Sequence, residues 1–149
     1  MPLPFTIRVL GWDEAAALAR PVREEVFVLE QRVPLEMEWD EHDASCRHAV
    51  ALTATGEAIG TARLLPEGRI GRMAVRKDWR GRGVGAALML SLLDEARRAG
   101  MTSLTLHAQT HAAGFYRKFG FSARGGEFDE AGIPHVEMHL ELPPARPRA

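Results

Sequence analysis

Apolar and polar residues run through this chain in two rhythms, and the switches between them predict most of its elements. Short apolar or alternating stretches mark strands at Phe5–Leu10, His48–Thr55, Ile59–Leu65, Ile70–Val75 and Ser103–Gln109. Another strand begins at Phe121–Arg124, and the last, His135–Leu142, alternates cleanly. Val136, Met138, Leu140 and Leu142 share one of its faces; His135, Glu137, His139 and Glu141 share the other. From Val84 to Ala99 the spacing becomes helical, with Val84, Leu88, Leu92 and Ala96 in register and Gly85, Met89 and Leu93 alongside. Asp13 is placed to cap a helix over Glu14–Ala19, and Pro21 either breaks it or opens a second, apolar helix over Pro21–Gln31. His111–Phe119 reads as a short helix. Turns fall at Thr55-Gly56-Glu57 and Pro66–Gly68, and the acidic, aperiodic stretch Val33–Asp43 is predicted to be a loop. The order is β-α-α-β-β-β-α-β-α-β-β. Strand, helix and strand from Ile70 to Gln109 require a parallel pair joined by a right-handed crossover, and the rest is antiparallel. The expectation is an α/β protein with a mixed, mostly antiparallel sheet and helices on both faces.

The two ends of the 84–99 helix differ. Arg97 and Arg98 suit the negative end of the helix dipole, and Gly100 follows as the C′ residue. At the other end no Ser, Thr or Asn caps the helix, and the nearest acid, Asp78, lies on the preceding turn. Arg80-Gly81-Arg82-Gly83-Val84-Gly85 instead offers bare N–H groups, three residues without side chains and two guanidiniums, which together suit a phosphate. No Gly-Lys-Ser/Thr occurs, so a P-loop is excluded. Gly81, Gly83 and Ala86 formally fit a dinucleotide G-x-G-x-x-A, but Arg76–Arg80 separate them from the strand and the next strand ends in Gln109, not in an acid. The pattern R-x-x-G-x-G/A after a strand ending in Val is matched in full by Arg80–Gly85.

The 149 residues suit one domain with a real core, at an ordinary 46% hydrophobic and 26% charged. A net charge of −1 argues against non-specific nucleic-acid binding. One cysteine, Cys46, allows no intrachain disulfide and fits a reducing compartment. Met1-Pro2-Leu3-Pro4 lacks the plan of a signal peptide, and no apolar run approaches the roughly 18 residues of a membrane span, so a cytoplasmic protein is expected. Glu41-His42-Asp43 with His48 matches no zinc spacing, so no metal is expected, and Cys46 has no nucleophile motif around it.

Arg80–Gly85 resembles motif A of the GNAT-type N-acetyltransferases. His107–Phe121 resembles their motif B, with Tyr116 on the family's Tyr and Gln109 where Asn is usual. Arg23–Gln31 and Gly132–Met138 are similar to segments of ElaA-like acetyltransferases, so the resemblance runs from residue 23 to 140. It implies one GNAT domain over 1–142; the Pro/Arg-rich tail over 143–149 can propagate neither a helix nor a ladder and is expected to be disordered. It also implies acetyl-CoA as co-substrate, with its pyrophosphate at Arg80, Gly81, Arg82, Gly83, Val84 and Gly85. The pantetheine would run along Met73, Ala74 and Val75 and past Gln109 and Tyr116, with the N–H of Ala74 or Val75 polarising the thioester. Tyr116 would protonate the departing thiolate. A primary amine, with a pKa of about 10.4, must lose a proton before attack. The ElaA-like Gly-Ile-Pro-His segment favours His135 as the base, with His111 and His107 as rivals. Arg63, Asp40, Asp43 and His48 are candidates for an acceptor site that favours cations. The implied activity is direct acetyl transfer to a primary amine of a small-molecule or peptide acceptor. The alternative is a CoA-binding or sensing module of the same fold. Acyl-homoserine-lactone synthesis ranks lower, because those proteins are usually longer and lack a tidy R-x-x-G-x-G. The polar face of the last strand leaves room for a homodimer.

Overall fold

The computed structural model describes residues 4–38 and 40–143. Strands β1 (Phe5–Leu10), β2 (Arg47–Thr53), β3 (Ala58–Leu64) and β4 (Arg69–Val75) form an antiparallel meander. Helix α3 (Val84–Arg98) crosses to β5 (Ser103–Gln109), which runs parallel to β4. β6 (Ser122–Glu130) and β7 (Ile133–Glu141) complete a seven-stranded sheet in the order β1-β2-β3-β4-β5-β7-β6. Helix α1 (Trp12–Arg23) covers one face with a core of Ala15, Val22, Val26, Val50 and Ala74, and α3 covers the other with Leu88, Met89, Leu92, Ile59 and Leu104. Between them every residue of β3 is buried.

Gly60 sets how closely α3 approaches the sheet, since a Cβ there would lie 2.8 Å from Val84 Cγ1 and 3.2 Å from Leu88 Cδ1. Gly60→Ala is therefore expected to cost about 1–3 kcal/mol by overpacking. An unchanged thermal midpoint would contradict that contact.

Several local expectations are corrected. Gly11, not Asp13, is the N-cap of α1, and Asp13 sits with Glu14 in the first turn, where carboxylates suit the dipole. Pro21 neither ends nor starts a helix: α1 runs through it to Arg23 and continues as a π-helix over Glu24–Glu30. A widened turn of this kind absorbs irregularity in the i→i−4 ladder. The expected helix at 111–119 divides into a 3₁₀ turn, Thr110–Ala112, and α4 (Ala113–Arg117). His135 was expected on the wet face of the last strand, yet it is buried. Of the tail expected over 143–149, all but Pro143 lies outside the described residues.

The acidic stretch is also not a loop throughout. It holds a helical turn, α2 (Leu35–Glu38), and a 3₁₀ turn over Glu41–Ser45. Its acids are anchored by arginines from three elements. Arg23 of α1 donates to Glu38 and, at 2.8 and 3.1 Å, to Asp43. Arg63 of β3 forks onto Asp40 at 2.7 Å twice and reaches Asp43 at 3.0 Å, and Arg72 of β4 meets Asp40 at 3.1 Å. Hydrophobic periodicity misses this stretch because charges, not apolar side chains, fasten it. Burial alone would raise the pKa of Asp40 and Asp43, but their arginine partners outweigh it and hold both carboxyls below the usual range. Glu38, buried more deeply, is raised despite Arg23. Burial pushes His48 down, so its imidazole protonates in the unfolded chain first. As pH falls below about 6.5, His48 therefore begins to draw the protein toward unfolding. Below about 4, Asp40 and Asp43 add a steeper loss, because their pairing requires ionised carboxylates, while Glu38 works in the opposite sense. Thermal melts across this range are expected to show that two-stage decline, and a midpoint unchanged down to pH 3 would contradict it.

Candidate active site

β4 and β5 pair only at Arg69↔Thr105 and Ile70↔Leu106, then diverge toward Val75 and Gln109. β4 carries an extra residue against β3: between Thr61↔Ala74 and Arg63↔Gly71 the register slips, and Arg72 takes φ 50°. Such a bulge bends a strand and re-aims its side chains. Here it accompanies a cavity of about 460 Å³ that opens into the wedge between the strands. Arg76 N–H bonds Ile59 O at 2.9 Å, and antiparallel alternation then turns Ala74 N–H toward β3 and Val75 N–H into the wedge. Of the two candidate donors to a thioester oxygen, Val75 is the one that faces the gap.

The Gly-rich loop lies where β4 gives way to α3. Gly83 is the N-cap of α3 at φ 84°, and no side chain caps the helix. Gly81 stands at φ 75°, and a Cβ at either glycine would meet nothing within 4 Å, so the loop presents open main chain. Gly85 differs, since a Cβ there would press to 3.3 Å of Phe115 and its bareness serves the packing of α4. Arg82 lies over the Trp79 ring at 5.0 Å. The sequence presents Arg80 as a cation awaiting an anion. Its guanidinium is instead clamped by Glu30 at 2.6 and 2.7 Å, and its Nε donates to Val75 O at 3.0 Å. The hydrogen bond from Arg80 lowers the Glu30 carboxyl. Arg80 thus shapes the loop and ties it to the end of the π-helix.

Tyr116 reaches the cavity from α4, packed edge-on against Phe115 and Phe121 at 5.1 and 6.4 Å. Burial pushes its phenol up to about 12. Met73 and Gln109 line the same space, and Gln109 Nε2 donates to Gln31 Oε1 at 2.9 Å. His135 also lines it; its Nδ1 donates to Ile133 O at 2.7 Å, which leaves Nε2 to accept a proton. His107 lines it too, touched by Arg69. The structure does not bring His111 to the cavity, since it is exposed outside the lining. His48 is likewise absent from the wall: it is buried against Trp12 at 4.7 Å, with Nε2 2.9 Å from Asp43 O. Arg63 and Asp40 do line the cavity, but they are spent largely on each other, so Asp40 is not a free anion for a cationic acceptor. Burial pushes the Cys46 thiol up to about 11, unsuited to nucleophilic work. Among the described residues no group of three or more His, Cys, Asp or Glu is placed to hold a metal, and no helix is long and apolar enough to cross a membrane. No sequence pattern singles out Glu30, Arg69 or Arg72, and Glu130 carries only a weak one. For Glu130 the available signal was the Gly132 turn that follows it.

A sheet splayed between its parallel strands, beside an uncapped Gly-rich helix tip, is the arrangement expected of a GNAT acyltransferase. The acetyltransferase (GNAT) domain model matches residues 14–142, and the chain belongs to that family: it is an N-acetyltransferase of the GNAT fold. The family uses acetyl-CoA. The uncharacterised N-acetyltransferase YjcF of Bacillus subtilis is 40% identical over 121 residues, 78% of this chain and 86% of its own. Escherichia coli ElaA is similar in structure at a TM-score of 0.82 and 28% identity, covering 92% of this chain and 99% of that one. An acyl-CoA N-acyltransferase from Pseudomonas aeruginosa gives 0.77 at 32% identity, with 93% and 99% covered.

Proposed function

We propose that the protein transfers the acetyl group of acetyl-CoA directly to a primary amine of a small-molecule or peptide acceptor, both held at once. The observation that carries this is the wedge itself. A phenol from α4, an imidazole from β7 and Met73 of β4 line one cavity, and two residues further along β4 the inward N–H of Val75 leads toward the open Gly-rich loop. Bound acetyl-CoA supplies an activated acetyl thioester. Gly81, Arg82, Gly83 and the first turn of α3 receive its diphosphate, and Arg80 holds the loop in shape. Val75 N–H donates to the thioester oxygen, a contribution of typically ~3 kcal/mol for a preorganised donor. His135 Nε2 takes the proton of the attacking amine. Tyr116 gives its proton to the departing sulfur. A phenol raised to about 12 keeps that proton at any working pH, but it is a weaker acid than an ordinary thiol, so the transfer must accompany C–S cleavage.

The test is thiol release from acetyl-CoA with a panel of primary amines, including a polyamine, a lysine peptide and a peptide with a free N-terminus. Release that requires an amine is expected. Acetyl-CoA binding without amine-dependent release would make the chain a CoA-binding module instead.

A further inference from the structure

We propose that Glu130 is a positioning residue for His135, so that the base is a carboxylate–imidazole pair built by one hairpin turn; this rests on the acetyl-transfer reading above. β6 and β7 are joined at Ala131 and Gly132, at φ 54° and 78°, the left-handed pair that matches the twist of a two-residue hairpin. That turn sets Glu130 opposite Ile133. Both partners of the His135 ring come from these two flanking residues. Ile133 O accepts from Nδ1 at 2.7 Å, which keeps a proton on Nδ1 whether the ring is neutral or charged. Proton exchange is thereby confined to Nε2, and Glu130 Oε2 stands 3.5 Å from Nε2. A neutral ring offers that carboxylate no proton. Once Nε2 takes one from the amine, the ring carries a positive charge 3.5 Å from that carboxylate, and the contact becomes an ion pair.

Glu130 Oε1 lies 3.1 Å from His107 Nδ1, a nitrogen that the Arg69 guanidinium also meets, so one of these two contacts at a time is a hydrogen bond. Phe128, two residues back on β6, packs edge-on to His107 at 5.0 Å and stacks on His135 at 6.0 Å. The titratable and charged groups around the two rings are Glu130 on β6, Glu137 on β7, Arg69 on β4 and Tyr116 on α4. Arg69 touches His107 and Glu137 lies 3.9 Å from it, while Tyr116 shares the cavity. In the step itself an N–H bond of the ammonium breaks and an N–H bond at Nε2 forms. The electron pair stays on the amine nitrogen for attack, and the positive charge moves to a ring already facing a carboxylate.

A purely structural reading would make Glu130 a half-exposed surface acid whose contacts contribute little. Its replacement is therefore not expected to unfold the protein, and function can be read directly. Glu130→Gln is expected to lower kcat about tenfold with the most active amine of the panel, below the 10²–10⁴ attributed to a general base itself, with KM for acetyl-CoA unchanged. In a His135→Gln background the same change should cost nothing further, because a positioning residue has nothing left to position. A second readout needs no turnover. Imidazole ¹H–¹⁵N spectra of the full chain at one fixed pH should show the His135 ring signals displaced in Glu130→Gln relative to the wild type, with those of His111 in place. Wild-type kcat in Glu130→Gln, a loss that persists without His135, or His135 ring signals that stay in place would each overturn the proposal. If no amine supports thiol release, the acetyl-transfer reading fails, and the spectra still decide whether Glu130 and His135 form a pair.

Discussion

In Gly83→Asp, acetyl-CoA affinity falls about a hundredfold or more, a loss of about 3 kcal/mol, while the chain stays folded. Gly83 caps α3 at φ 84° with open space where a side chain would start, so the new carboxylate enters no core. It stands instead at the helix tip proposed to receive the diphosphate. Two unit charges about 4 Å apart near a protein surface repel by about 4 kcal/mol, more than enough for the effect. Left-handed backbone costs a non-glycine residue roughly 1–2 kcal/mol, though Asp and Asn tolerate it best. Gly83→Asn carries nearly the same strain and shape without the charge, so it should keep most of the affinity. Calorimetric titration of both variants separates charge from strain, and unchanged binding in Gly83→Asp would remove this loop as the diphosphate site.

Tyr116→Phe is expected to lower kcat about a hundredfold or more, with KM for acetyl-CoA within about twofold of the wild type. The ring keeps its edge-on contacts with Phe115 and Phe121, so packing persists and only the proton donor goes. Burial, which pushes the phenol up to about 12, adds a second expectation. Below about pH 11 the rate should show no alkaline fall caused by Tyr116, since a donor of that pKa remains protonated there. A wild-type rate in Tyr116→Phe would remove the acid role.

What could be read from the sequence follows how local each cause is. The strand–helix–strand from β4 to β5 was legible because alternation, helical spacing and a run of glycines all lie within one continuous segment. The splay of those strands was not, because it accompanies a bulge at Arg72 that no residue pattern announces. The acidic stretch 33–43 reads as a loop because its partners, Arg23, Arg63 and Arg72, come from three other elements. Arg80 looks like a free cation in the sequence because Glu30 lies fifty residues earlier in the chain. His48, a polar residue near an acidic loop, suggests itself for the acceptor site, yet it is buried against Trp12. Glu130 went unnoticed because only strand pairing brings the hairpin tip back over His135.

The central claim is that acetyl-CoA lies in the wedge with its thioester open to an amine, with no covalent relay through the protein. Single-turnover mixing with acetyl-CoA, followed by thiol release and intact protein mass, tests it most directly. Without amine the account predicts bound but unreacted acetyl-CoA and an unmodified protein mass; with amine, it predicts release of one thiol per acetylated amine. Thiol release without any amine, or a protein that gains an acetyl group on the way, would contradict it.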